Sequence, residues 1–203
     1  YKRVLDPACG VGYLLFKAAS SCGAEDIRGI EINKRIYDIA LKLHVNSDIQ
    51  NSNSCIADLS DNEYDLIISE LPLGVNIAPF TSDWLDLRIK DASLGIMANC
   101  LKHLSPTGIA IFSCLESIFW TTDGLKFVQS LRENGYYIKA VFKQQNSRKG
   151  RKVERTLSSA APRWVSIMWH TSSSWNRMKE RESTQPPWLV VRCFSICSCF
   201  API

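Results

Sequence analysis

A doubly wound α/β domain with a mostly parallel sheet is the fold class predicted for residues 1–142 by three features of the sequence. Apolar runs of strand length alternate with segments of helical period, turn residues punctuate the alternation, and a stretch with two glycines follows directly on the first apolar run. Strands that are apolar nearly throughout suit a sheet covered by helices on both faces.

The elements follow in order. Strands are expected near residues 2–6, 27–31, 54–57, 64–69, 108–114 and 136–142, and helices near 12–21, 34–44, 86–104 and 122–133. Asp123 is placed to cap the helix that carries Leu125, Phe127, Val128 and Leu131, and Gly135 stands where a left-handed residue ends it. Ser105-Pro106-Thr107-Gly108 reads as a turn between a helix and the strand Ile109-Ala110-Ile111-Phe112. Residues 164–169 give a last strand, so the domain is expected to span 1–170. Residues 171–203, with Ser-rich, charged and Pro-Pro stretches, read as an irregular tail.

Composition narrows the function classes. A chain of 203 residues, 46% hydrophobic and 22% charged, holds one α/β core and is neither a disordered tail nor a coiled coil. No run reaches the roughly 18 uncharged apolar residues that a membrane span needs, and Tyr1-Lys2-Arg3-Val4 has no signal-peptide architecture. A cytoplasmic, non-membrane protein is the expectation. Cys9, Cys22, Cys55, Cys100 and Cys114 lie in apolar periodic segments and read as reduced thiols in or near the core. Cys193, Cys197 and Cys199 lack the paired spacing of a zinc site, so no metal is expected.

Charge is distributed unevenly. Residues 1–142 hold 13 Lys and Arg against 17 Asp and Glu, whereas residues 143–203 hold 11 against 3. Lys143, Arg148, Lys149, Arg151, Lys152 and Arg155 crowd into one exposed loop, with Arg148, Lys149, Arg151 and Lys152 as candidate phosphate contacts and a solvated basic loop as the plain alternative.

The chemistry concentrates at strand ends. Asp6-Pro7-Ala8-Cys9-Gly10-Val11-Gly12 closes one strand and opens a helix, so Gly10 and Gly12 fall where backbone must approach a ligand. Leu15 stands where a third glycine would serve a pyrophosphate, and no Lys-Ser/Thr pair follows. Asp6 would repel phosphate and suits the cationic amino acid end of S-adenosylmethionine. Glu31, with Ile32 beside it, ends the next strand 21 residues after Gly10, where an acid accepts from ribose hydroxyls. Asp58 is the third acid, expected to accept from the exocyclic amine of the cofactor's adenine. Each of the three acids also has a plain reading as a solvated loop carboxylate.

The run from Asp6 to Leu15 resembles the Asp-Pro-Ala-Cys-Gly-Ser-Gly-Gly-Phe-Leu signature of the modification subunits of type I restriction-modification systems and related adenine-specific DNA methyltransferases. The resemblance continues through Gly29-Ile30-Glu31-Ile32-Asn33, Asp58, Tyr64-Asp65-Leu66-Ile67-Ile68 and residues 101–108. It implies a class I S-adenosylmethionine-dependent methyltransferase fold of the Rossmann-like kind, Asp6, Pro7, Ala8, Gly10, Gly12, Glu31, Ile32 and Asp58 at the cofactor, and transfer to the exocyclic nitrogen of a flipped adenine in DNA. A separate specificity subunit is the implied partner.

The family's catalytic motif is Asn-Pro-Pro-Phe/Tyr, often followed by Gly; here Glu70-Leu71-Pro72-Leu73-Gly74 occupies that offset. Glu70, Pro72 and Leu73 are therefore the candidate catalytic positions. Glu70 keeps an acceptor for amino protons but adds a methylene and a charge, loss of the first proline is expected to free the backbone, and Leu73 supplies no stacking platform. The sequence opens at the first strand, so the family's upstream segment over the methionine end of the cofactor is expected to be missing, as in a fragment or a degenerate copy. An inactive cofactor-binding or scaffold homologue, an RNA methyltransferase, and a nucleic-acid-binding surface built on residues 143–155 with Trp164 and Trp169 stand as alternatives.

Overall fold

The computed structural model describes residues 1–44, 48–60, 63–143 and 164–171; for 142–143 and 164–171 it is the backbone that is described. From the N-terminus run β1 (Arg3–Asp6), α1 (Tyr13–Cys22), β2 (Asp26–Ile30), α2 (Lys34–Leu43), β3 (Asp48–Gln50) and β4 (Tyr64–Glu70). A hairpin of β5 (Asn76–Ser82) and β6 (Leu87–Asp91) precedes α3 (Ala92–Leu101). Then come β7 (Leu104–Leu115), a 3-10 turn (Glu116–Phe119), α4 (Thr122–Glu133), β8 (Tyr136–Lys143) and β9 (Trp164–Thr171).

Seven strands form one sheet in the order β3-β2-β1-β4-β7-β9-β8, with β9 antiparallel to both its neighbours and the other pairs parallel. The doubly wound, mostly parallel sheet expected from the sequence is therefore present. The chain lays β2 and β3 to one side of β1 and β4 to the other, so the strand order reverses between β1 and β4, and sheets of this kind bind ligands beyond the carboxyl ends of the strands at such a point.

Side chains sort by strand parity. Val4 and Leu66 face the core cluster that includes Leu15 of α1 and Ala40 of α2, whereas Leu5 and Ile67 face the larger cluster with Met97, Phe112 and Phe127. Full burial of a large apolar side chain contributes about 1.5–3 kcal/mol, so these two layers fix the strands' register. Asp65, between them, accepts from the Lys2 and Arg3 amides and from the Ser105 hydroxyl, tying β4 to both flanks.

Four local expectations are corrected. Residues 54–57 form turns rather than a strand, and β3 is the three-residue segment Asp48–Gln50. The turns bury Cys55, Ala57 and Leu59 while exposing Ile56 and Asp58, which copies the alternation of a strand without pairing. The long helix expected at 86–104 is divided, because Leu87 and Ile89 pair in β6 and the Asp91 carboxylate then caps α3 through the Leu94 amide. Residues 105–108 are a bulge inside β7, since Leu104 pairs with Tyr64 and Ile109 with Leu66. Thr121, not Asp123, caps α4 by accepting from the Gly124 amide; Asp123 lies in the first turn and pairs with Lys90 at 3.0 Å. Gly135 takes the left-handed conformation foreseen for it, with φ of 86°.

Cys9, Cys55, Cys100 and Cys114 are buried free thiols and Cys22 is half-buried. Burial pushes Cys9 and Cys114 up to about 12 and Cys55 to about 11, so they are inert at neutral pH. Among the described residues no helix is long and apolar enough to cross a membrane, and no group of three or more His, Cys, Asp or Glu could hold a metal ion. Arg148, Lys149, Arg151, Lys152, Cys193, Cys197, Cys199 and the tail beyond 171 lie outside the described residues.

Candidate functional site

The site grows from the tip of β1. Asp6 is 1% exposed, and its Oδ1 accepts from the Ala8 amide at 3.0 Å and from the Ser69 hydroxyl at 2.7 Å. Burial is the largest influence on this carboxyl and raises it to about 7; the Ser69 and Ala8 bonds oppose that rise, and Glu70 and Glu31 add to it. A cation placed beside Asp6 would hold it ionised.

Pro7 is buried, and its carbonyl accepts from the Ser54 hydroxyl. The chain then turns through Gly10 (φ 57°) and Gly12 (φ 87°), both in the left-handed region, and Gly12 begins α1 without a side-chain cap. Space is open where a Cβ on Gly10 would stand, as a backbone that receives a ligand requires.

Glu31, 8% exposed, extends from the end of β2 across this loop. Its Oε2 accepts from the Gly10 amide at 3.1 Å and its Oε1 from the Asn33 amide at 2.6 Å. Asn51, just past β3, donates to the carbonyls of Glu31 at 2.7 Å and Ile32 at 3.1 Å, which ties the tips of β2 and β3 together. Ile32 is left 68% exposed at the rim, an apolar surface beside the acid.

Asp58 is placed differently from its expectation. It sits eight residues past β3, exposed, with Oδ1 accepting from the amide and hydroxyl of Ser60; those bonds hold it below the usual carboxylate range. Asn51, Ser52 and Asn53 follow directly on β3, and Asn53 Oδ1 accepts from the Cys55 amide at 3.0 Å. Asn99 of α3 secures this turn by donating to the carbonyls of Ser54 and Ala57. Two asparagines directly after the very short β3 are the available signal in the sequence, masked by the strand-like alternation that follows.

Glu70 ends β4 with an exposed side chain, so Asp6, Glu31 and Glu70 stand at the tips of three neighbouring strands. The backbone after Glu70 is not freed by the absence of the first proline. Leu71 is 3% exposed in the core and its amide donates to the Ser113 carbonyl at 3.0 Å, a bond no proline can make. Pro72 and Leu73 are half-buried, and the Pro72 carbonyl accepts from the Ser93 hydroxyl. Next to them a cleft of about 180 Å³ opens between Gly74, Asn76, Ser93, Leu115, Thr121 and Gly124. The hairpin that walls it is anchored on the domain: Trp84 Nε1 donates to the Ala98 carbonyl, Ser130 to the Leu85 carbonyl, and Lys90 pairs with Asp123.

Comparison with solved structures places this architecture. A putative class I S-adenosylmethionine-dependent methyltransferase from Listeria monocytogenes superposes with a TM-score of 0.65 at 18% identity, covering 93% of this chain and 57% of its own. The fold is that of the class I S-adenosylmethionine-dependent methyltransferases. The methyltransferase subunit of a type I restriction-modification system from Streptococcus thermophilus gives 0.64 at 14% identity, over 84% of this chain and 40% of its own. A ribosomal protein L11 methylase from Lactobacillus delbrueckii subsp. bulgaricus gives 0.52 at 19% identity, over 83% and 69%. The chain thus spans about half the length of the first of these proteins and less of the second. No protein-family model matches the chain, and no curated protein sequence does.

Proposed function

We propose that the chain binds S-adenosylmethionine beyond the carboxyl ends of β1, β2 and β3 and transfers its methyl group to the exocyclic amino nitrogen of adenine in DNA. The observation that carries this reading is the set of acids Asp6, Glu31 and Glu70 at three adjacent strand tips around the open face of Gly10. That set repels phosphate and suits a cationic ligand with hydroxyl groups to donate.

In this reading the Asp6-Pro7-Ala8 turn and Gly10-Val11-Gly12 line the amino acid end, Glu31 receives the ribose hydroxyls and Ile32 packs on the adenine ring. Asp58 keeps the acceptor role toward the adenine amine that the sequence gives it, and Asn53, nearer the end of β3, is a second acceptor on the same turn. When bound, the cofactor supplies a methyl group on a positively charged sulfur. Glu70 accepts a hydrogen bond from the target amino group and takes up the proton that leaves as the N–C bond forms and the S–C bond breaks. Pro72 and Leu73 shape the approach to Glu70, and the cleft beside Gly74 receives the target base. Arg148, Lys149, Arg151 and Lys152 contact phosphates, and a separate specificity subunit reads the sequence.

Transfer of a labelled methyl group from S-adenosylmethionine to DNA, with RNA as competitor, tests this. Wild type labels adenine in DNA and Glu70→Ala loses about a hundredfold or more of that rate. Preferential labelling of RNA would replace the substrate assignment. The pinned, non-aromatic Glu70-Leu71-Pro72-Leu73 segment favours one second reading, a cofactor-binding subunit without turnover; cofactor binding with no methyl transfer to either polymer, in the presence of the other subunits, supports it.

A further inference from the structure

The glycine loop is held from two sides, and one of the two holders lies outside the strand tips. His44 follows α2, with its amide on the Ala40 carbonyl at 2.9 Å, and its Nε2 meets the Val11 carbonyl at 3.1 Å. A carbonyl oxygen only accepts, so Nε2 carries the proton in this contact. The imidazole also stacks on Phe16 of α1, with ring centroids 3.8 Å apart and planes inclined by 13°. A Cβ on Gly12 would lie 3.0 Å from both rings, so the missing side chain at position 12 makes room for the stack. Glu31, just before α2, and His44, just after it, therefore grip Gly10 and Val11 from the two ends of that helix.

We propose that His44 is a positioning residue that holds the Gly10-Val11-Gly12 loop in its ligand-ready shape. The inference rests on the assignment of that loop to S-adenosylmethionine. Gly10 and Gly12 both adopt positive φ, and glycine has the largest backbone freedom of any residue. An unheld loop would have to lose that freedom on binding, whereas a loop fixed in advance does not. His44 touches the loop through Val11 and makes its contribution by limiting where Gly10 and Gly12 go.

Two substitutions separate the hydrogen bond from the stack. His44→Phe keeps an aromatic ring against Phe16 and removes the donor, while His44→Gln keeps a donor and removes the aromatic stack. Isothermal titration with S-adenosylmethionine should show about a fivefold rise in Kd for His44→Phe, as loss of one ordinary hydrogen bond implies, and a Kd within about twofold of wild type for His44→Gln. In the unliganded protein, amide hydrogen exchange at Gly10 and Gly12 should quicken by a similar factor in His44→Phe. Unaltered exchange and unaltered Kd in His44→Phe, with a melting temperature matching wild type, overturn the proposal. If wild type does not bind the cofactor, the proposed function fails, and exchange at Gly10 and Gly12 alone decides whether His44 holds the loop.

Discussion

The Glu31 carboxylate accepts from the Gly10 amide at 3.1 Å, joining the tips of β2 and β1 across 21 residues of chain. In the proposed function the carboxylate that shapes the loop is also the one that receives the ligand's hydroxyls. Glu31→Gln keeps the size and removes the charge that strengthens both kinds of bond. Hydrogen bonds to charged groups contribute about 1.5–3 kcal/mol, so the variant should bind S-adenosylmethionine about 10- to 100-fold more weakly by calorimetry.

Asp6 makes both stability and binding depend on pH. Its carboxyl titrates at about 7 in the folded protein against 3.8 for the ordinary side chain, so between those values the native state carries a proton that the unfolded chain has lost. Stability from this group is fully present below about 4, falls as pH rises toward 7, and is level above it. A cationic ligand favours the ionised form and lowers the titration point, so cofactor affinity should rise from about pH 6 to about pH 8 with release of a proton. Chemical denaturation across this range on wild type and Asp6→Asn checks the first trend, with the variant losing that component of the slope. Titration in buffers of different ionisation enthalpy checks the second.

Leu71 has become part of the framework. Leu71→Pro, which moves the segment toward Asn-Pro-Pro-Phe/Tyr, replaces a core side chain and removes the amide bond to Ser113 together. A cost of about 3 kcal/mol or more is expected in urea denaturation, from the cavity and the unpaired Ser113 carbonyl. A stability equal to wild type would show that this stretch is not anchored through Leu71.

Gly124 stands where α4 passes the 3-10 turn. A Cβ there collides with the backbone of Ile118, which cannot yield as a flexible side chain would. Gly124→Ala should cost about 1–3 kcal/mol of stability and, because Gly124 lines the cleft beside Gly74, raise KM for the methyl acceptor more than Kd for the cofactor.

The parts of this molecule most legible in the sequence were those where local pattern and tertiary packing agree. Val4-Leu5 and Leu66-Ile67 are apolar on both faces because both faces are covered, and the Asp6-to-Gly12 turn carried its glycines at the positions that take positive φ. Residues 54–57 read as a strand because buried Cys55, Ala57 and Leu59 alternate with exposed residues while making turns, so a pattern of burial passes for a pattern of pairing. The β5–β6 hairpin is hidden for the converse reason: Leu87 and Ile89 run on into Ala92 and Leu94 of α3 with no glycine or proline at the boundary to mark the change. His44 had no motif to announce it, since its partner is a backbone carbonyl 33 residues away.

Asp6, Gly10 and Glu31 together form the proposed cofactor site. Calorimetric titration of the chain with S-adenosylmethionine, on wild type and on Asp6→Ala and Glu31→Ala, tests it most directly. Saturable binding at one site per chain is expected in wild type and its loss in both variants, with the circular dichroism of all three alike. A folded wild-type chain that shows no saturable binding between about pH 6 and pH 8, or variants that bind as well as wild type, would contradict it.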